Sequence, residues 1–230
     1  MAIIQSGAVP TNLLTVDPTF AAIRTAEHPP EILGAYSLGL VSGALTTVAA
    51  GGVVFALRWA PTVSTQLCMI RRVEVGFATT TAFTTAQTIT YSMQIARQFS
   101  ISYTSGGTAA AFTQTNTGKL RTSMPVSAFS APAGQLYMAN TGVISGATNT
   151  LDTQVIGYAT SPSTTAVVGS SMLSTPIFQH SPGDYPLILA NNEGFVINNV
   201  IVMGAGGVIN LYVTVEWMEL NATTGNAIAY

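Results

Sequence analysis

The closing stretch of the chain, Asp184 to Leu220, alternates. Ile209, Leu211, Val213, Val215 and Trp217 fall on one side of a period-two pattern, with Asn210, Tyr212, Thr214, Glu216 and Met218 on the other. Such alternation predicts a strand with one buried face. Phe195 to Met203, rich in Val and Ile, predicts a second strand. Gly204-Ala205-Gly206-Gly207 between them predicts a turn, because glycine adopts positive φ without a steric penalty. The two strands are thus expected as an antiparallel hairpin. A hairpin is not stable alone, so the rest of the chain must cover its apolar face.

The preceding residues read the same way. Tyr36, Leu38 and Leu40 alternate with Ser37 and Gly39, and Ala49-Ala50-Gly51-Gly52 predicts a turn. Val53 to Trp59 alternates up to Pro61, which ends the strand. Leu67 to Phe77 is a further strand, although neither face is wholly apolar, so Arg71, Arg72 and Glu74 are expected to be paired or at an interface. Ala78 to Thr88, mostly Thr and Ala, reads as a loop, and Thr88 to Ile101 as a long strand. Leu120 to Ala128 and Leu151 to Ala159 are strand candidates, separated by loops at Pro132, Gly134, Gly142 and Gly146. Ser161 to Ser174 reads as weakly structured. About eight strands with no long amphipathic helix and no internal repeat predict an all-β fold. The expected form is an antiparallel β-sandwich over residues 34–220, with a jelly roll among the topologies it admits.

Residues 1–33 differ from this body and read as an extended N-terminal arm. Pro10, Pro18, Pro29 and Pro30 interrupt any continuous element. Asp17-Pro18 is a helix start that would carry a short helix to Arg24. Such an arm ties a subunit to its neighbour or wraps on its own domain. Residues 221–230 form a polar tail.

Charge changes the picture. Only 7% of residues are Asp, Glu, Lys or Arg, against about 25% in ordinary domains. A soluble monomer usually keeps a charged surface. Here Thr, Ser, Ala, Gly and Asn take its place, which suits a chain that hides surface against other subunits. Net charge is −2, which excludes a strongly basic nucleic-acid binder. All seven Lys and Arg lie at or before Arg121; only Asp152, Asp184, Glu193, Glu216 and Glu219 follow. Such asymmetry suits head-to-tail contact between copies. Edge strands of a sandwich invite pairing with other chains, and closed symmetry covers them. The candidate intersubunit contacts are Arg24, His28 and Glu31 in the arm, with Arg71, Arg72 and Glu193. In Asn191-Asn192-Glu193-Gly194, a tight turn with Glu193 bonded to its backbone is the simpler expectation.

Catalytic patterns are missing from the sequence. Cys68 is the only cysteine, so no intrachain disulfide forms and a reducing compartment fits. His28 and His180 are far apart and make no zinc pattern with Cys68. His180 near Asp184 is an acid–base pair only on paper; a loop histidine is simpler. There is no calcium loop, phosphate loop or nucleophile elbow. Residues 32–57 carry no charge, yet Gly34, Gly39, Gly43, Gly51 and Gly52 make two strands with a loop a better fit than a membrane span. No cofactor, nucleic acid or membrane is expected as a partner.

Two groups of residues carry a resemblance. The first is Arg24, His28-Pro29-Pro30-Glu31, Gly34-Ala35-Tyr36 and Arg58-Trp59. The second is Asp184-Tyr185-Pro186-Leu187, Asn192-Glu193-Gly194-Phe195 and Val215-Glu216-Trp217. Together they resemble tailed-bacteriophage virion structural proteins. The resemblance implies a non-enzymatic part of the particle, made in the host cytoplasm. First comes a capsid decoration or cement protein on the major capsid protein, second a tail or collar component. It also implies self-association, with a trimer suited to three-fold positions on the shell. A receptor- or carbohydrate-binding module is the alternative from another class; Tyr103, Phe112, Tyr137 and Tyr158 would be its loop aromatics. A hydrolase would need clustered carboxylates or a Ser-His-Asp set, which the scattered acids do not show.

Overall fold

The computed structural model describes residues 32–161, 171–181 and 185–221. The helix expected at Asp17 and the arm contacts Arg24, His28 and Glu31 lie outside them. Eleven strands are present among the described residues: β1 (Ile32–Val41), β2 (Val53–Trp59), β3 (Gln66–Thr81), β4 (Thr90–Ile101), β5 (Gly107–Ala109), β6 (Leu136–Ala139), β7 (Thr148–Thr160), β8 (Ser171–Gln179), β9 (Leu187–Leu189), β10 (Glu193–Asn199) and β11 (Val208–Asn221). The only helical element among these residues is a 3-10 turn, Ala128–Ser130.

The strands form two antiparallel sheets. One runs β1-β11-β3-β8, with β9 also on β3; the other runs β5-β6-β2-β10-β4-β7. Leaving aside β5, β6 and β9, β1 pairs with β11, β2 with β10, β3 with β8 and β4 with β7. These nested pairs are what results when one long antiparallel hairpin is rolled around a core, which is jelly-roll connectivity. β8 and β9 lie along the same edge of β3, β8 opposite Arg72–Ala78 and β9 opposite Cys68–Ile70.

The register expected for β11 holds: Ile209, Leu211, Val213, Val215 and Trp217 are all buried. An aromatic chain fills one part of the core. Trp217 stacks on Tyr36 at 5.5 Å and meets Phe129 edge-on at 5.1 Å, and Phe129 meets Trp59 at 4.9 Å. Edge-to-face and offset packing of this kind adds to the area that the rings remove from water.

The closing hairpin does not exist. β10 lies in one sheet and β11 in the other, so residues 200–207 cross between sheets. The glycine turn is real, with Gly206 at φ 79. β10 is buried on both faces, from Gly194 to Asn199, so its alternation carries no mark of which sheet it joins. It also stops at Asn199, short of the expected Met203.

Other expectations need correction. Leu120 to Ala128 is not a strand; it belongs to residues 102–147, the connection from β4 to β7. β3 continues to Thr81, into the expected loop, and Ser171–Ser174 belongs to β8. β1 starts at Ile32, before the expected boundary at Gly34. The mixed faces of β3 have a specific cause. Register shifts where Glu216 pairs with Arg72 but Trp217 with Ile70, which leaves Arg71 as the extra residue of a β-bulge. The bulge puts Val73, Val75 and Phe77 on the buried face with Cys68 and Ile70.

Candidate interaction surfaces and polar clusters

The bulge settles the two neighbouring arginines. Arg72 pairs with Glu74, which also accepts a hydrogen bond from Ser174 Oγ at 3.2 Å. Arg71 is exposed, with Nη1 3.9 Å from Met218 Sδ. Of the two, Arg71 presents its charge at the surface of this sheet.

Glu193 has partners within its own chain. Its Oε1 accepts from Arg97 Nη1 at 2.8 Å, and its Oε2 accepts from the Ala190 backbone at 3.0 Å. Asp152 stands 3.9 Å from the same arginine. The expected turn is present: Glu193 N donates to Ala190 O at 2.9 Å, and Asn192 takes φ 66. Arg58 reaches this turn, donating to Asn192 Oδ1 at 2.8 Å and Ser102 Oγ at 3.1 Å. Two segments far apart in sequence, around Arg58-Trp59 and Asn192-Glu193, thus meet at one corner. Asp184 lies outside the described residues.

The most enclosed acid among the described residues is one that no sequence motif singles out. Glu219 is 2% exposed. It accepts hydrogen bonds from Ser127 Oγ at 2.6 Å, from Ala128 N at 3.0 Å and from Trp217 Nε1 at 3.1 Å. Burial pushes its carboxyl above the usual range, and the three donors oppose that shift. Tyr36 and Cys68 lie close enough that its charge raises both of them, adding to the larger effect of their own burial. The cluster pins the connection at Ser127 to the last strand. Alternation alone places Glu219 on the inner face of β11; that placement was the available signal.

Some strand edges meet other segments of the chain. The outer edge of β1 is met by residues 118–120: Ser37 N donates to Gly118 O at 2.7 Å and Leu120 N to Ala35 O at 3.2 Å. At the other side β7 and β8 press together, so that a Cβ on Gly157 would collide with the Ile177 carbonyl.

One end of the sandwich gathers the loops 42–52, 82–89, 140–144 and 199–207. Their backbones are tied to each other: Gly51 N to Asn199 O at 2.7 Å, Thr46 N to Thr141 O at 3.1 Å, Thr84 N to Ala205 O at 3.2 Å and Met203 N to Val48 O at 2.9 Å. Asn199, buried, directs Nδ2 at the carbonyls of Val48, Ala49 and Ile201. This frame holds Val200, Ile201 and Val202 at the surface, 37%, 46% and 59% exposed. Read by composition, these residues belong to a strand.

Of the loop aromatics expected for a glycan-binding face, Tyr103 and Tyr137 are buried and Phe112 packs against the core; Tyr158 is exposed. Among the described residues no group of three His, Cys, Asp or Glu could hold a metal ion, and no helix is long and apolar enough to cross a membrane. Residues 32–57 form β1, a loop and the start of β2. Comparison with protein-family models and with curated proteins found no match to this chain.

Proposed function

We propose that this protein is a structural component of a bacteriophage virion, a capsid decoration or cement protein that binds the major capsid protein and stabilises the head. The observation that supports this most is the union of jelly-roll connectivity with a 7% charge content. Jelly rolls recur in viral capsid and lectin domains. A rolled sandwich with so little charge suits a surface that is spent on contacts with other subunits. The proposed unit is a homo-oligomer, with a trimer matching three-fold positions on an icosahedral shell. Its site of action is the virion, after synthesis in the host cytoplasm.

Within the same reading, a tail or collar position accounts for the same fold and composition. A receptor- or glycan-binding role has one observation in its favour, the exposed rings of Tyr158 and Tyr185, at 59% and 94%. Electron microscopy of intact particles separates these positions. Density for the sandwich on the head lattice is the expected result. Adding purified protein to heads that lack it should also raise the temperature at which they release DNA. Heads that neither bind the protein nor gain heat resistance would overturn the cement role.

A further inference from the structure

We propose that residues 113–126 form a displaceable strap that guards the outer edge of β1 against strand pairing between copies of this chain. The inference goes beyond the proposed function and uses no property of a particle.

The strap is anchored at both ends and lightly held between them. On one side Phe112 packs against the core; on the other, Ser127 and Phe129 are each 1% exposed. None of residues 113–126 is buried. Their turns are local: Thr117 N donates to Gln114 O, Lys119 N to Asn116 O and Met124 N to Arg121 O. Such bonds persist when the segment moves as a unit. Its ties to β1 are hydrogen bonds: Ser37 N to Gly118 O at 2.7 Å, Leu120 N to Ala35 O at 3.2 Å, Tyr36 Oη to Pro125 O at 3.1 Å and Ala35 N to Met124 Sδ at 3.3 Å. A segment with so few buried apolar contacts opens at a free energy well below that of global unfolding.

Backbone direction shows what the strap hides. Ala35 and Ser37 turn their polar groups to the strap, while Ser42 N donates to Leu211 O on the β11 side. Residues 39 and 41 therefore carry the same outer edge onward, and both are exposed. With the strap in place, the open part of this edge is Gly39 to Val41, shorter than most strands. With the strap lifted, it runs from Ala35 to Val41, long enough for a strand of ordinary length.

Exposed edges are usually protected by charge, above all lysine, or by proline. Ile32 to Val41 contains no charged residue and no proline. The strap has both, in Lys119, Arg121 and Pro125. The protective chemistry that β1 lacks thus lies on the segment laid along it.

The test is native-state hydrogen exchange by nuclear magnetic resonance on the full chain. The Ser37 and Leu120 amides, which cross the contact, should exchange together and at least about 100-fold faster than the β11 amides bonded to β3. Gly118→Ala places a side chain at φ 73, with its Cβ 3.3 Å from the Ser37 carbonyl. It should speed those two amides about tenfold further and leave β11 unchanged. Tyr36→Phe removes only the hydroxyl that bonds Pro125; it should act in the same direction and carries the test if Gly118→Ala misfolds. Light scattering at tens of micromolar should show both variants forming larger species faster than the wild type. A Ser37 amide as slow as those of β11 overturns the inference. So do variants that speed all amides alike, or that speed exchange with no gain in association. The virion reading stands or falls on particle binding, which neither readout uses.

Discussion

Ser127 Oγ donates a 2.6 Å hydrogen bond to Glu219 Oε1 across 92 residues of sequence. It is the point at which the long connection between β4 and β7 is fastened to the final strand. The carboxylate is buried, and Ala128 and Trp217 donate to it as well. Removing a donor from a buried acceptor costs about 1–3 kcal/mol. Ser127→Ala should lower stability by that amount in urea unfolding. A loss near zero would mean that the bond is replaced by solvent.

The same acid sets a pH dependence. Burial is the larger influence and raises the folded-state value of Glu219 above that of the unfolded chain. The folded protein then holds this proton more tightly than the unfolded one. The associated stability is full below the unfolded carboxylate range and is lost as pH rises through the folded value. Tyr36 and Cys68 face the group and bring no positive charge. The urea midpoint of the wild type should therefore fall with rising pH relative to Glu219→Gln. Parallel curves for the two proteins would remove Glu219 as the cause.

Trp217 joins Tyr36 and Phe129 in the core and is 1% exposed. Trp217→Ala should cost about 3–5 kcal/mol, from lost transfer energy and the cavity left behind. Chemical denaturation gives the value directly; a cost under about 1 kcal/mol contradicts this packing.

Asn192 does two things at once. It accepts from Arg58 and occupies φ 66. Asn192→Gly keeps the backbone and loses the bond. Asn192→Ala loses the bond and adds left-handed strain of roughly 1–2 kcal/mol. Alanine should therefore be the more damaging replacement by about that difference, measured as paired unfolding free energies. Equal effects would assign the whole role to the hydrogen bond.

Close strand approach gives a further test. A Cβ on Gly194 would strike the Leu57 carbonyl, which is backbone and cannot turn aside, whereas one on Gly39 would find only Thr214 Oγ1 at 3.7 Å. Gly194→Ala should cost about 1–3 kcal/mol or more. Gly39→Ala should change stability by less than about 0.5 kcal/mol. Thermal melts of the two variants should differ accordingly; matching melts would remove the steric cause.

Much of the local structure is legible in the chain alone. The alternation at Ile209–Trp217 identifies the buried face of β11. Val53 to Trp59 matches β2 at both ends. The Asn-Glu-Gly turn before β10 is placed correctly, and Glu193 bonds its backbone as expected. These are short-range properties: side chains alternate across a strand, proline ends it, and asparagine and glycine accept positive φ. They need no knowledge of what lies opposite.

What only the tertiary structure decided is partnership. Phe195 to Ile197 is apolar on both faces, so its pattern is equally consistent with either sheet, and pairing of Phe195 with Leu57 and Ile95 assigns it to the one away from β11. The bulge at Arg71 is invisible in sequence because one inserted residue reverses the apparent period. Alternation puts Glu219 on the inner face of β11, but the donors that satisfy it there, Ser127 and Ala128, come from a distant connection. The cover of the β1 edge by residues 118–120 belongs to the same class. Each depends on contacts between segments far apart in the chain, formed when apolar faces are matched across the sandwich, and such matching leaves no periodic trace in either segment by itself.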